Sequence, residues 1–77
     1  MNTGDELKAI IASHVDCDSH RVTDNTEICA DLGASELAFV RIIIDIEKKF
    51  GITVPDEDMS ELSTFGRIRD YVENKIC

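Results

Sequence analysis

Basic residues are scarce in this chain of 77: eight Lys and Arg stand against sixteen Asp and Glu, a formal charge of −8 at pH 7. A nucleic-acid binder needs cations to neutralise phosphates, so that class is disfavoured. An acidic balance favours solubility and partners with basic surfaces. Four glycines and one proline are too few for a linker or a turn-dense all-β fold. No apolar run exceeds four residues, far short of the ~20 that a membrane helix needs. Cysteine is confined to Cys17, Cys29 and Cys77, odd in number and without a C-x-x-C pair. That is neither a disulfide framework nor a zinc pattern, and it points to reduced thiols in a cytoplasmic protein. Cys77 ends the chain, so it is expected to be exposed and able to pair two copies on oxidation, and it makes no C-a-a-X prenylation box. The first five residues lack the basic and apolar segments of a secretory signal.

What is present suffices for one small domain. Apolar residues make up 43%, too many for a disordered acidic tail. A chain of this length buries roughly 60–65% of its unfolded surface, which leaves little room for an enclosed active site. The metal patterns are weak. Asp24-Asn25-Thr26 and Asp56-Glu57-Asp58 begin like calcium loops but lack Gly at the sixth loop position and Glu at the twelfth. His14 and His20 have no partner at ligand spacing. Composition leaves a Ser-His-Asp assembly open, but there is no G-x-S-x-G elbow. No metal site and no catalytic residue is expected.

Periodicity predicts an all-α fold of four helices, three long and one short. Thr3-Gly4-Asp5-Glu6 reads as a capping box. Leu7, Ile10, Ile11 and Val15 then mark one face of a helix over about 4–15. Asp16-Cys17-Asp18 breaks that pattern. Residues 17–34 show no sustained period, although Val22, Ile28 and Leu32 are spaced anchors. A second helix is predicted over 36–50, opened by Ser35 as cap and closed by Gly51. Its apolar residues cover more than one face, so it is central or offers a side to a partner. Phe39 fits either a partner anchor or a core position. Residues 52–54 read as extended before Pro55, which opens a short helix over 56–61. Ser63 or Thr64 caps a last helix to about Lys75. The expected core is Leu7, Ile11, Leu37, Val40, Ile43, Phe50, Phe65, Ile68 and Val72.

Several of these segments also carry a resemblance. Asp31-Leu32-Gly33-Ala34-Ser35-Glu36-Leu37, with Val40, Phe50, Gly51-Ile52 and Val54-Pro55-Asp56-Glu57, is similar to the D-L-G-x-D-S-L … V … E-x-x-F … I-P-D-E pattern of the acyl carrier protein family. Val22-Thr23-Asp24-Asn25 resembles the segment before that pattern. Thr64, Gly66, Asp70 and Tyr71 resemble the T-x-G-x-x-x-D-Y of the family's last helix. The likeness runs without gaps over about residues 4–75. It implies a single four-helix carrier domain with a long loop between helices one and two. It also implies a non-enzymatic, monomeric, cytoplasmic protein that carries acyl groups on a 4′-phosphopantetheine arm for acyl-chain synthesis or transfer enzymes. The alternative is a carrier-fold interaction module that has lost the arm.

The sequence departs from the pattern at the attachment site. Without gaps, the position of the family's serine is Glu36, and Ser35 stands where the family has Asp. Ser35 is the only hydroxyl at this turn, so a phosphopantetheinyl transferase would have to use it. Ser35-Glu36 also makes a sound helix start: Ser caps the first turn, and a carboxylate there meets the positive end of the helix dipole. The family docks basic partners on an acidic second helix. Residues 36–50 here hold Glu36, Asp45 and Glu47 against Arg41, Lys48 and Lys49, a net charge of zero. The resemblance thus implies a partner surface formed by Leu37, Val40, Arg41, Ile44, Glu47 and Lys48, and weak binding of basic partners there.

Overall fold

The computed structural model describes residues 3–15 and 19–76. Four α-helices follow in order: α1 (Thr3–His14), α2 (Glu36–Phe50), α3 (Asp56–Met59) and α4 (Phe65–Ile76), with a short 3-10 turn at Ser19–Arg21. Cys17, Cys77 and the Asp16–Asp18 break lie outside the described residues. No described helix is long and apolar enough to cross a membrane.

Local chemistry sets the ends of α2. Ser35 sits in extended backbone (φ −71°, ψ 166°), and its hydroxyl accepts the Ala38 N–H at 3.1 Å. At the other end Gly51 turns left-handed (φ 68°) and donates to the Glu47 carbonyl at 2.8 Å, the left-handed closure that glycine makes at no steric cost. Thr64 caps α4, its hydroxyl accepting the Arg67 N–H at 3.3 Å. Helix α3 starts at Asp56 as expected, with Pro55 ahead of it in extended backbone (ψ 153°). Two boundaries differ from expectation. Thr3 lies inside the first turn of α1 and not ahead of it. Helix α3 stops at Met59, because Glu61 and Leu62 donate to the Asp58 and Met59 carbonyls in tighter turns.

The core is formed by Leu7 and Ile11 of α1, Ile42, Ile43 and Ile46 of α2, Phe65, Ile68 and Val72 of α4, and Val22, Ile28, Ala34, Val54 and Leu62 from the connections. Three expected core positions prove otherwise. Leu37 is 60% exposed, while Val40 and Phe50 are half-buried. With apolar residues on most sides of α2, composition could not say which side faces inward. α2 packs against α1, and its buried residues are Ile42, Ile43 and Ile46.

The long loop without periodicity is held by backbone pairing that is remote in sequence. Ile28 N–H donates to Ser63 O at 3.0 Å, Phe65 N–H to Thr26 O at 2.9 Å, and Gly66 N–H to Asp24 O at 3.0 Å. An isolated antiparallel bridge, Glu27 to Thr64, lies among these bonds. Asp24 also pairs with Arg69 of α4. The close approach explains Gly66: a Cβ there would stand 2.8 Å from the Asp24 carbonyl oxygen.

Two stability predictions follow from this packing. Gly66→Ala, ordinarily a gain inside a helix, is expected to cost about 1–3 kcal/mol because the Asp24 backbone must move. Ile46→Ala should cost about 2–5 kcal/mol, whereas Leu37→Ala should stay within about 0.5 kcal/mol. Denaturant midpoints of the three variants check both; equal losses at positions 37 and 46 would mean that the faces of α2 are misassigned.

Candidate functional site

The attachment-like turn is built by short-range bonds. Asp31 accepts the Glu27 N–H through its carboxylate at 2.8 Å and returns its own N–H to the Glu27 carbonyl at 2.8 Å. Ala34 N–H reaches the Ile28 carbonyl at 3.3 Å. The turn thus delivers residues 35–37 to the start of α2 in a set orientation, with Ser35, Glu36 and Leu37 all exposed.

Successive residues on a helix point about 100° apart, and the structure translates that into two different grooves. Glu36 borders a surface groove of about 390 Å³ between α2 and α3, together with Phe39, Val40, Asp56, Met59 and Ser60. An adjoining apolar groove shares Phe39, Met59 and Ser60 and reaches exposed Cys29. Ser35 instead borders a groove at the end of α1, with His14, Val15, Leu32 and Ala38. Phe39 is therefore both a wall of the α3-side groove and a half-buried flank of the core. Cys29, Met59 and Ser60 carried no sequence signal for this groove; α3 and its end bring Met59 and Ser60 there, and the loop before α2 brings Cys29.

A phosphodiester needs a hydroxyl. Position 36 offers a carboxylate, so the standard site does not fit a phosphopantetheine arm. Ser35 offers an exposed hydroxyl that also serves as the helix cap. It is the one place at this turn where the group fits.

The structure joins two members of a Ser-His-Asp set: His14 Nε2 contacts the Asp45 carboxylate, tying α1 to α2. Ser35 lines the same groove, but its hydroxyl is engaged by Ala38 N–H and no hydrogen bond joins it to His14. The pair is an interhelical tie and not an activated nucleophile. Among the described residues no group of three His, Cys, Asp or Glu side chains could hold a metal ion.

The residues expected to meet partners divide. Leu37 and Ile44 stand out as exposed large hydrophobics, 60% and 41%, and Arg41 and Lys48 are exposed beside them. Val40 is half-buried at the groove edge. The Glu47 carboxylate accepts the Val54 N–H at 2.8 Å and fastens the extended 52–54 stretch to α2. An acid seven residues before an extended segment carries no local signature of that duty.

Beyond the groove, Tyr71 of α4 donates to the Asp58 carboxylate of α3 at 2.8 Å. Loss of hydration around the phenol, then this bond and the nearby charges of Asp58, Glu47 and Glu57, push Tyr71 up to about 12. The raised value means that folding favours the protonated phenol. The contribution is complete below the ordinary value of 10.0 and is lost as pH rises through about 12. Tyr71 is the only tyrosine, so phenolate absorbance reads it alone. The native protein should titrate near 12, the denatured chain near about 10, and Asp58→Asn in between. A native midpoint at the ordinary value would mean that Asp58 does not hold the phenol.

Comparison with known proteins aligns almost the whole chain. Residues 5–72 match the family model described as a phosphopantetheine attachment site. The chain is 37% identical over 71 residues to an acyl carrier protein of Thermotoga maritima, covering 92% of this chain and 88% of that one. It is 35% identical over 74 residues to an acyl carrier protein of Helicobacter pylori, covering 95% of each. Its fold is similar to that of the acyl carrier protein from Enterococcus faecalis, with a TM-score of 0.84 and 29% identity over 95% of this chain and 92% of that one.

Proposed function

We propose that this chain, which belongs to the acyl carrier protein family, is a specialised acyl carrier whose loading point has moved from position 36 to Ser35. It presents acyl groups to synthesis or transfer enzymes of fatty-acid or related metabolism, as a monomer in the cytoplasm. The observation that carries the reading is the phase of α2: Ser35 caps the helix, so the only hydroxyl at the turn lies one residue before the family's position. When bound, the arm supplies a thiol that holds an acyl chain as a thioester. The chain's own residues supply the rest. Ser35 offers the hydroxyl, Asp31 braces the turn through Glu27, and Glu36 keeps a negative charge beside the α3 groove. A transferase must bring one hydroxyl into line with its cofactor, and a step of about 100° around a helix defeats that alignment. Loading at Ser35 therefore calls for a transferase matched to this turn.

Intact mass after incubation with coenzyme A and a broad-specificity phosphopantetheinyl transferase tests the shift. The wild type should remain largely unmodified, while Glu36→Ser, with a hydroxyl restored at the family position, should gain one phosphopantetheine. Ready modification of the wild type that Ser35→Ala abolishes would show that a general transferase tolerates the displaced serine. Failure of Glu36→Ser to load would show that the turn itself, and not the residue at 36, departs from the family.

A further inference from the structure

The two grooves at the start of α2 differ in charge. Glu36 and Asp56 both line the groove beside α3, and both are exposed. The groove at the end of α1 has a volume of about 390 Å³ and is lined by Ser35 with His14, Val15, Leu32 and Ala38. Among the described residues none of its lining side chains is acidic. Two neighbouring acids are engaged. Asp45 of α2 holds His14 Nε2, and the Asp31 carboxylate accepts the Glu27 N–H at 2.8 Å. His14, Val15, Leu32 and Ala38 are each half-buried, so packed side chains form the walls. The volume falls within the roughly 300–1,000 Å³ of small-molecule sites.

We infer that the groove at the end of α1 is a binding site for the phosphopantetheine group, reached by an arm carried on Ser35. The inference rests on the reading of Ser35 as the loading point and adds which residues hold the group. Ser35 lines this groove and not the one beside α3, so an arm attached to it starts there. A phosphodiester is an anion. Glu36 adjoins Ser35 in the chain, so its charge acts on either path, but a path towards α3 meets Glu36 and Asp56 together. Like charge opposes that path, whereas no lining carboxylate stands on the α1 side. The helix start tolerates the ester. Ser35 Oγ serves α2 as acceptor of the Ala38 N–H at 3.1 Å, and esterification removes only its hydrogen. The added negative charge also meets the positive end of the helix dipole. A pantetheine chain alternates amides with aliphatic carbons. Val15, Leu32 and Ala38 offer it apolar contact, and the His14 ring offers a polar flank.

Nuclear magnetic resonance of the unmodified full chain, labelled with nitrogen-15, tests the groove apart from loading. The probe is free 4′-phosphopantetheine. It is expected to shift the amide signals of Val15, Leu32, Gly33 and Ala38 and to leave those of Val40, Met59 and Ser60 in place. Ala38→Glu sets a carboxylate in the groove and should weaken binding by at least about fivefold. Position 38 lies three residues after the cap, where Glu completes a capping box, so the fold is kept and an unchanged thermal melt verifies it. Met59→Glu, in the other groove, should leave binding unchanged. The inference is overturned if the probe moves the signals of Val40, Met59 and Ser60 instead, if it moves none, or if Met59→Glu weakens binding as much as Ala38→Glu. Intact mass of the chain from its native host separates this outcome from the loading reading. Loading at Ser35 without groove shifts overturns the inference alone. Groove shifts without loading support the site and overturn Ser35 as the loading point.

Discussion

The hydrogen bond from the Ala38 N–H to the Ser35 hydroxyl starts α2 and sets its phase, and the other arrangements of the molecule follow from that phase. With the first helical residue at Glu36, Ile42, Ile43 and Ile46 turn inward and Leu37 and Ile44 turn outward. Glu36 opens on the α3 groove and Ser35 on the α1 groove. A cap of this kind contributes only about 1 kcal/mol. Burial of the three isoleucines, at roughly 1.5–3 kcal/mol each, reinforces the same phase, so cap and core agree.

The turn before α2 is held from outside the helix. The segment from Asp24 to Ile28 is pinned by backbone bonds to residues 63–66, and Gly66 is the residue that lets the two chains approach. Each such bond contributes about 0.5–1.5 kcal/mol net, and buried backbone groups left unpaired would cost more. The loop is therefore an ordered bracket between α4 and the attachment-like turn. Strain at Gly66 would be transmitted through Ile28, whose carbonyl holds Ala34, to the base of α2.

Legibility in the sequence tracks how local the cause is. The bounds of α2 were readable because a serine cap, a four-turn apolar pattern and Gly51 lie within the segment they control. The cap of α4 was readable as Ser63 or Thr64 for the same reason, and the structure uses Thr64. Burial of Leu37 and Val40 was misread because an all-round apolar helix leaves its inward face undecided until α1 packs on it. The loop pairing, the His14–Asp45 tie and the fastening of Val54 by Glu47 depend on residues brought together only by folding. At the site, the Glu36 substitution and its alternative Ser35 were plain in the chain. That they open on two separate grooves was not, since α3 and the end of α1 form those grooves from residues remote in sequence. The charge balance of α2 was also readable as a sum, but the ties of Asp45 to His14 and of Glu47 to Val54 were not.

At α2 the chain departs from the family's pattern twice: a carboxylate stands at position 36, and residues 36–50 carry no net charge. Both favour a carrier with its own loading enzyme and its own partner over one that shares general machinery. The most direct measurement is peptide mapping by mass spectrometry of the protein purified from its native host. The account predicts one phosphopantetheine on the peptide that holds Ser35, with the modification located on that serine. A native protein with no added mass would contradict it and would make the chain a carrier-fold interaction module.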